Sequence, residues 1–265
     1  MHMKHIAYIL LLLLTAVLPA HARHTGRLRV ALVQAHLKWG STDGNLHAFA
    51  QRIDRCKGCD LIVFPELFTS GCDMKPKDKE KAVRMKDEAA ARYHEITDSM
   101  TVWARRSGAL VIGSTIYKEG GKYYNRLIAA RPDGSFLCYD KHNCFKRGSF
   151  APGDEHLILT WKSVRLATYI CYDLRFPEWS RNNGRYDAAV YIANWPQSRS
   201  DDWNRLLAER ARENRAYVIA VNCAGTDPNG ITYKGESCIL APDGHALARC
   251  NDLEDEILIK ELCLE

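Results

Sequence analysis

Short apolar runs rich in β-branched residues alternate with longer amphipathic stretches along most of this chain. The apolar runs predict strands at residues 28–33, 61–64, 164–170, 187–192 and 217–221. The longer stretches repeat apolar residues with the period of a helix. They predict a helix at 45–56 and a second one within 75–107, where a charged loop or helix entry comes first. A third helix is predicted at 201–215, with Ser200 as its cap. Strands that alternate with helices are typical of an α/β protein.

The middle of the chain predicts a different arrangement. Residues 110–116, 123–130 and 135–139 have strand character and are separated only by turn formers, Gly120-Gly121 and Pro132-Asp133-Gly134. Their order predicts antiparallel pairing between neighbours. A last strand-like segment covers 257–264, and neither an internal repeat nor a linker divides the chain, which favours one domain.

Three side chains suited to catalysis follow predicted strands. Glu66 ends the apolar run 61–65, Lys141 follows the strand 135–139 after one residue, and Cys171 closes the run 164–170. A free thiol has a pKa of about 8.5, so a nucleophilic cysteine needs a base or a nearby cation. Glu66 and Lys141 offer both. Taken singly, each residue has a simpler interpretation, because strand-end Glu and Lys are usually solvated and a Cys after a buried strand is usually core.

Four segments of this chain match a known pattern. They are Phe-Pro-Glu-Leu-Phe-Thr-Ser-Gly at 64–71, Tyr-Asp-Lys-His at 139–142, Cys-Tyr-Asp-Leu-Arg-Phe-Pro-Glu-Trp at 171–179, and Ala-Asn-Trp-Pro at 193–196 followed by Arg-Ala-Arg-Glu-Asn at 210–214. In this order and spacing, the chain resembles the nitrilase superfamily of carbon–nitrogen hydrolases and, within it, the ω-amidase-like branch. The resemblance covers 28–264 and implies a four-layer α-β-β-α sandwich in which the three residues converge.

The resemblance also implies a mechanism. Glu66 takes the thiol proton, Cys171 attacks an amide carbonyl to form a thioester, and the proton leaves with ammonia. Lys141 and the backbone N–H of Tyr172 hold the oxyanion. Water activated by Glu66 then releases the acid, and neither a metal nor another cofactor takes part.

Three residues near the thiol are candidate substrate contacts: Tyr172, Arg175 and Trp195. Arg175 could bind a substrate carboxylate or pair with Glu178, and a structural role has the greater weight. The expected partner is a small amide, and for the ω-amidase-like branch it is a short α-keto acid amide such as 2-oxoglutaramate.

The loop at 142–153 departs from the family pattern. Relatives carry a glutamate there, whereas this loop contains no acid. Either Asp154 or Glu155 folds back to replace it, or the site has reduced activity. Three functions therefore stay open: an amidase for small carboxylate-bearing amides, a hydrolase for N-carbamoyl or other small amides, and a nitrilase-fold binding protein with an impaired site.

The N-terminus predicts export. Lys4 and His5 precede an apolar run at 6–18, and Ala20-His21-Ala22 has the small-x-small form of a cleavage site. The run is shorter than the roughly 20 residues of a spanning helix. We therefore expect a signal peptide at 1–22, a carbon–nitrogen hydrolase domain at 23–265, and a periplasmic or secreted product without a stable membrane anchor.

The distribution of charge argues against nucleic-acid binding, and the spacing of the cysteines bears on disulfides and metal binding. The net charge of +5 is spread among interleaved acids and bases, so the sequence lacks the clustered basic face of a nucleic-acid-binding protein. Most of the ten cysteines have the irregular spacing of buried core residues, although Cys56 and Cys59 favour a local disulfide over zinc. The short C-terminus weakens the family-based expectation of a homodimer.

Overall fold

A computed structural model describes residues 26–71, 79–145 and 150–264. The predicted signal peptide at 1–22 lies outside these residues and stays a prediction. Residues 146–149 of the loop after Lys141 also lie outside them. Within the described residues, no helix is long and apolar enough to cross a membrane.

The described residues form fourteen strands and four α-helices, joined in two places by short 3₁₀ turns. The strands are β1 (Gly26–Gln34), β2 (Leu61–Val63), β3 (Leu110–Glu119), β4 (Lys122–Ala130), β5 (Phe136–Asp140), β6 (Ile158–Trp161), β7 (Val164–Ile170), β8 (Ala188–Ala193), β9 (Tyr217–Asn222), β10 (Ala224–Thr226), β11 (Thr232–Lys234), β12 (Cys238–Leu240), β13 (Ala246–Arg249) and β14 (Glu256–Leu264). The helices are α1 (Thr42–Arg55), α2 (Lys79–Ala91), α3 (Tyr93–Ser107) and α4 (Ser200–Asn214), and the turns are Cys171–Arg175 and Gln197–Arg199.

Two six-stranded mixed sheets organise the chain. The first has the order β14-β1-β2-β3-β4-β5 and the second β13-β12-β9-β8-β7-β6, while β10 and β11 form a separate hairpin. Strands β1, β2 and β3 are parallel, and so are β7, β8 and β9. As the turn residues predict, β3, β4 and β5 are antiparallel neighbours. Parallel strands present their carboxyl ends at one edge of a sheet, which is where ligand sites form in α/β proteins.

Side-chain alternation along the first sheet produces the layers. Val30 and Leu32 lie in a core shared with the second sheet and α4, whereas Ala31 and Val33 pack in a second core with α1 and α3. Successive residues of a strand point to opposite faces, so one sheet contributes to both cores. The result is the predicted α-β-β-α sandwich, with helices on the two outer faces.

The charged opening of the segment within 75–107 is helical from Lys79, which agrees with the predicted helix entry. Two local predictions were wrong. Ser200 is the first residue of α4 and not its cap, because Arg199 holds the cap position and no side chain bonds there. Cys56 and Cys59 are free thiols, and Cys56 Sγ instead donates to the carbonyl of Arg52 at 3.3 Å.

A close approach between β3 and the segment after β2 fixes where Glu66 lies. The ring of Phe68 packs directly on Gly113, where an added Cβ would be 2.8 Å from that ring. Phe68 also contacts the rings of Phe49 and Phe64, at centroid distances of 4.8 and 5.0 Å. A side chain at position 113 would displace this cluster. The cluster therefore holds the turn that carries Glu66 against the first sheet.

Candidate active site

The three predicted catalytic side chains meet between the sheets. Glu66 follows β2, Lys141 follows β5 and Cys171 follows β7. Their exposed fractions are 5%, 6% and 8%, respectively. Lys141 Nζ donates to Glu66 Oε1 at 2.7 Å, and both charges act on the Cys171 thiol. The structure thus brings together groups that lie as far apart in sequence as residues 66 and 171.

Glu66 is held by hydrogen bonds from three directions. Its Oε1 accepts from Lys141 Nζ and from Asn125 Nδ2, each at 2.7 Å, and its Oε2 accepts from the backbone N–H of Asn194 at 2.8 Å. Each donor comes from a different strand end or strand, so the carboxylate has one defined orientation. Sequence analysis missed Asn125. The sequence offered little signal, because β4 also contains the polar residues Lys122 and Arg126, and only the structure shows that Asn125 is the buried one.

Lys141 keeps its charge despite burial. Burial by itself would lower the pKa of Lys141, but the neighbouring acidic groups, Glu66 first among them, outweigh it, and the pKa lies above its ordinary value. The side chain is therefore a fixed cation at neutral pH. A fixed cation beside the thiol can stabilise negative charge that develops there.

Cys171 lies at a sharp turn out of β7. Its φ of +47° is in the left-handed region, and Leu67, directly after Glu66, has a φ of +46°. This conformation costs non-glycine residues about 1–3 kcal/mol and persists only where surrounding contacts enforce it. Both turns redirect the chain at the point where a reactive side chain must face the space between the sheets.

The Cys171 thiol is protonated at rest. Burial raises the pKa of this thiol well above its ordinary value, and the charge of Glu66 raises it further, against the opposing effects of Lys141 and the N–H of Asn194. The sequence offered two ways to activate the thiol, a base (Glu66) and a nearby cation (Lys141). Because the thiol is protonated, the structure favours activation by the base. Proton removal by Glu66 is then part of the reaction.

Asp173 is a buried acid that the sequence analysis did not single out. It is 0% exposed and accepts from Tyr139 Oη at 2.7 Å, from the backbone N–H of Asn143 at 2.7 Å and from that of Ile170 at 2.9 Å. These bonds join the segment after Lys141 to the end of β7. Burial raises the pKa of Asp173, although the charge of Lys141 and the donors oppose this.

The expected substitute for the missing loop acid is not found. Asp154 and Glu155 are exposed, and the carboxylate paired with Lys141 is that of Glu66. The prediction that one of the two folds back onto Lys141 is therefore wrong for the described residues. The loop is instead fastened by its own backbone, since the N–H of Gly153 donates to the carbonyl of Lys141 at 3.1 Å.

Stacked rings brace the same loop. Trp179 lies between the imidazoles of His142 and His156, with centroid distances of 3.5 and 3.8 Å. Its indole N–H donates to Tyr139 Oη at 3.0 Å, and His142 Nδ1 lies 2.6 Å from the carbonyl oxygen of Gly153. This stack connects both ends of the loop to the turn that follows Cys171.

Arg175 has a partner that the sequence did not predict. Its Nη2 lies 2.7 Å from Asp202 Oδ2, so the predicted pair with Glu178 is wrong. The guanidinium carbon also lies 4.9 Å from the ring centre of Trp195. Trp195 is 3% exposed and packs on Trp203 of α4 at 5.5 Å. These contacts give both residues structural roles beside any contact with substrate.

Tyr172 lies at the border between the buried groups and solvent. It is half-buried, and its ring meets those of Phe145 and Phe176 edge-on at 5.4 and 5.3 Å.

Within the described residues, no group of three or more His, Cys, Asp or Glu side chains is arranged to hold a metal ion.

Comparisons with known proteins agree with this geometry. The pattern of the carbon-nitrogen hydrolase family matches residues 29–265. The chain is 37% identical over 242 residues to the omega-amidase YafV of Yersinia enterocolitica, covering 90% of this chain and 91% of that protein. It is 30% identical over 250 residues to the 2-oxoglutaramate amidase of Bacillus subtilis, covering 89% and 91%.

A solved structure extends the comparison to the fold. XC1258 from Xanthomonas campestris, a CN-hydrolase superfamily protein with an arsenic adduct in its active site, matches with a TM-score of 0.82 and 31% identity over 89% of this chain and 90% of that one. The two-sheet sandwich with Glu, Lys and Cys at strand ends thus defines an amide-hydrolysing enzyme. The chain belongs to the carbon-nitrogen hydrolase family.

The charge of Glu66 makes a testable prediction about the thiol. Glu66→Gln removes a negative charge that raises the pKa of Cys171, so the thiolate fraction should increase. We expect alkylation of Cys171 by iodoacetamide at pH 8 to accelerate about tenfold or more. Mass spectrometry of the Cys171 peptide measures the rate, with the exposed Cys263 as an internal reference. An unchanged or slower rate would contradict the protonated resting thiol.

The contacts of Asp173 predict that its substitution lowers kcat by more than the loss of stability alone would explain. Asp173→Asn exchanges an acceptor for a donor beside two backbone N–H groups, which costs about 1–3 kcal/mol in the free energy of unfolding. It also frees the segment that carries Lys141, so kcat should fall about 100-fold with little change in KM.

Asp227→Asn is the matched control for this change. Asp227 is 4% exposed and accepts from the N–H groups of Asn229 and Ile231, at 2.8 and 2.9 Å, in the hairpin between β10 and β11. It should lose similar stability and keep its kcat. Kinetics and thermal unfolding compare the two variants, and an equal loss of kcat in both would reduce Asp173 to a purely structural role.

Proposed function

We propose that this protein hydrolyses the amide of a short carboxylate-bearing substrate, as an ω-amidase does, through a thioester on Cys171. The observation that carries the proposal is the Glu66 carboxylate, held by Lys141, Asn125 and Asn194 and acting directly on the buried thiol. The similarity to an omega-amidase and to a 2-oxoglutaramate amidase supports the substrate class. 2-Oxoglutaramate is the first substrate to test.

In the first half-reaction, Glu66 takes the thiol proton as the sulfur attacks the amide carbonyl carbon. The carbonyl electrons move to oxygen, where Lys141 Nζ and the backbone N–H of Tyr172 would stabilise the negative charge. When the C–N bond breaks, protonated Glu66 returns its proton to the nitrogen. Ammonia leaves, and the acyl group stays on Cys171 as a thioester.

In the second half-reaction, water replaces the amine. Glu66 removes a proton from the water as its oxygen attacks the thioester carbonyl, and the same two donors hold the second oxyanion. Collapse of this intermediate breaks the C–S bond and returns the proton to sulfur. The balance is one amide and one water converted to one acid and one ammonia.

A binding protein with an impaired site is the weaker alternative. It rests on the absence of an acid between residues 142 and 153. In this chain Asp173 and the Trp179 stack already connect the Lys141 segment to the Cys171 turn. These contacts supply the restraint on Lys141 for which the loop acid was expected, which supports a working site. Hydrolysis of an N-carbamoyl compound uses the same three residues and differs in the substrate alone.

The covalent step predicts a trapped intermediate. Rapid quenching of the wild type with 2-oxoglutaramate should give an acyl adduct on the Cys171 peptide in mass spectrometry. Cys171→Ala should release no ammonia, because it lacks the nucleophile, and should keep its melting temperature. Cys144→Ala, which changes a half-buried thiol in the neighbouring loop, is the control and should retain turnover. Ammonia release by Cys171→Ala would disprove the mechanism.

Export is part of the same proposal. The apolar run at 6–18 and the Ala20-His21-Ala22 site support cleavage after residue 22. N-terminal sequencing of the protein expressed in a bacterium should find a chain that starts at Arg23 in the periplasmic or culture fraction. A chain that keeps Met1 and stays with the cytoplasmic fraction would reject export and leave the proposed chemistry untouched.

A further inference from the structure

Three half-buried side chains in contact with one another, Tyr172, Phe145 and Arg199, begin at the residue after the reactive thiol, and we call this group the rim. The Cys171 side chain itself is nearly buried, but Tyr172, the next residue, is half-buried. The Tyr172 ring meets that of Phe145 edge-on at 5.4 Å, and the guanidinium carbon of Arg199 lies 5.3 Å from the centre of the Phe145 ring. Arg199 is also half-buried. The Arg199 guanidinium is therefore connected through the Phe145 ring to Tyr172, the residue after Cys171.

Arg199 differs from its neighbours in its charge partners. Arg175 pairs with Asp202 at 2.7 Å, and Arg205 pairs with Asp202 and Glu209 at 3.1 and 2.7 Å. Across residues 26–71, 79–145 and 150–264, no carboxylate forms an ion pair with Arg199. Among the described residues, these acids therefore leave the positive charge of Arg199 unneutralised.

The position of Arg199 is nevertheless fixed. Its backbone carbonyl accepts the indole N–H of Trp195 at 2.7 Å, and its guanidinium lies against the face of Phe145. A guanidinium stacked on a ring keeps its planar fork of N–H donors free, and that fork matches the two oxygens of a carboxylate. A half-buried guanidinium that lies against a ring and has no carboxylate partner among the described residues is suited to bind a carboxylate.

We propose that Arg199 binds the free carboxylate of the substrate and thereby sets the orientation in which a short acid amide enters the site. This inference rests on the proposed function, because it assigns the group that recognises the charged end of the substrate. Glu66 at the buried end repels a carboxylate, whereas Arg199 at the rim attracts one. The amide end is therefore directed to Cys171. Arg175 is the weaker candidate, since binding there competes with Asp202.

The test compares two four-carbon amides. Succinamate carries a carboxylate opposite its amide, and butyramide has a methyl group in that position. For Arg199→Gln, we expect kcat/KM for succinamate to fall about 10- to 100-fold, mainly through KM, as for the loss of a charge-assisted hydrogen bond. Activity on butyramide should stay the same. Arg199→Lys should recover part of the loss, because a lysine keeps the charge without the fork.

Two further variants act as comparisons. Arg181→Gln removes an exposed positive charge that has no carboxylate partner in the described part of the chain, and it should leave both substrates unaffected. Arg175→Gln tests the competing arginine. Titration of the product succinate into each protein by calorimetry measures carboxylate binding without turnover, and Arg199→Gln should weaken the Kd at least about tenfold.

The outcomes separate this inference from the proposed function. Equal loss on succinamate and butyramide, an unchanged succinate Kd, or a selective loss in Arg175→Gln with none in Arg199→Gln would each overturn the role of Arg199. If wild type hydrolyses neither amide, the proposed function fails, and the succinate titration still decides whether Arg199 binds a carboxylate. If succinate does not bind wild type, the inference is also overturned.

Discussion

The buried ion pair between Lys141 and Glu66 is the constraint on which the rest of the site depends. Removing two charges from water costs several kcal/mol for each ion, and only close pairing with further hydrogen bonds offsets that cost. Here the pair is 2.7 Å apart, and Asn125 and Asn194 satisfy the remaining oxygen positions of Glu66. Neither side chain can move alone without leaving a charge unpaired, so the pair fixes β2 and β5 of the first sheet against the end of β8.

A second buried acid transmits this constraint to the nucleophile. Asp173 takes donors from both the segment after Lys141 and the last residue of β7. Cys171 lies between these points with a left-handed backbone that would relax in isolation. The network thus stabilises a strained turn and the position of the cation together. These bonds are a restraint on the segment after Lys141 that does not depend on an acid in the loop.

Local patterns in the sequence predicted the strands and helices, whereas the four-layer sandwich and the convergence of Glu66, Lys141 and Cys171 were implied by the resemblance to a known family. Period-two and helical periodicity record which face is buried, and Glu66, Lys141 and Cys171 each stand in a recognisable strand-end segment. The pattern failed where a partner is distant in sequence. Arg175 pairs with Asp202 of α4 and not with nearby Glu178, which no periodicity encodes.

The missed residues follow the same rule. Asp173 belongs to the quoted segment 171–179, yet its importance lies in bonds to Tyr139 and Asn143. Asn125 resembles any polar residue in a strand until Glu66 is placed beside it. Ser200 is a good cap by composition, but the preceding 3₁₀ turn gives the cap position to Arg199. Tertiary contacts override local propensity at these points.

The charge inventory explains why a protonated resting thiol suits the proposed reaction. Before attack, the site contains anionic Glu66, cationic Lys141 and a neutral thiol. After the proton moves to Glu66 and sulfur bonds to carbon, Glu66 is neutral and the negative charge is on the oxyanion. The net charge of the buried space has not changed, and Lys141 has exchanged one anionic partner for another. A resting thiolate would add a second negative charge beside Glu66 and favour the ground state. With a neutral thiol at rest, Lys141 stabilises the oxyanion that forms in the transition state, and this stabilisation accelerates the reaction.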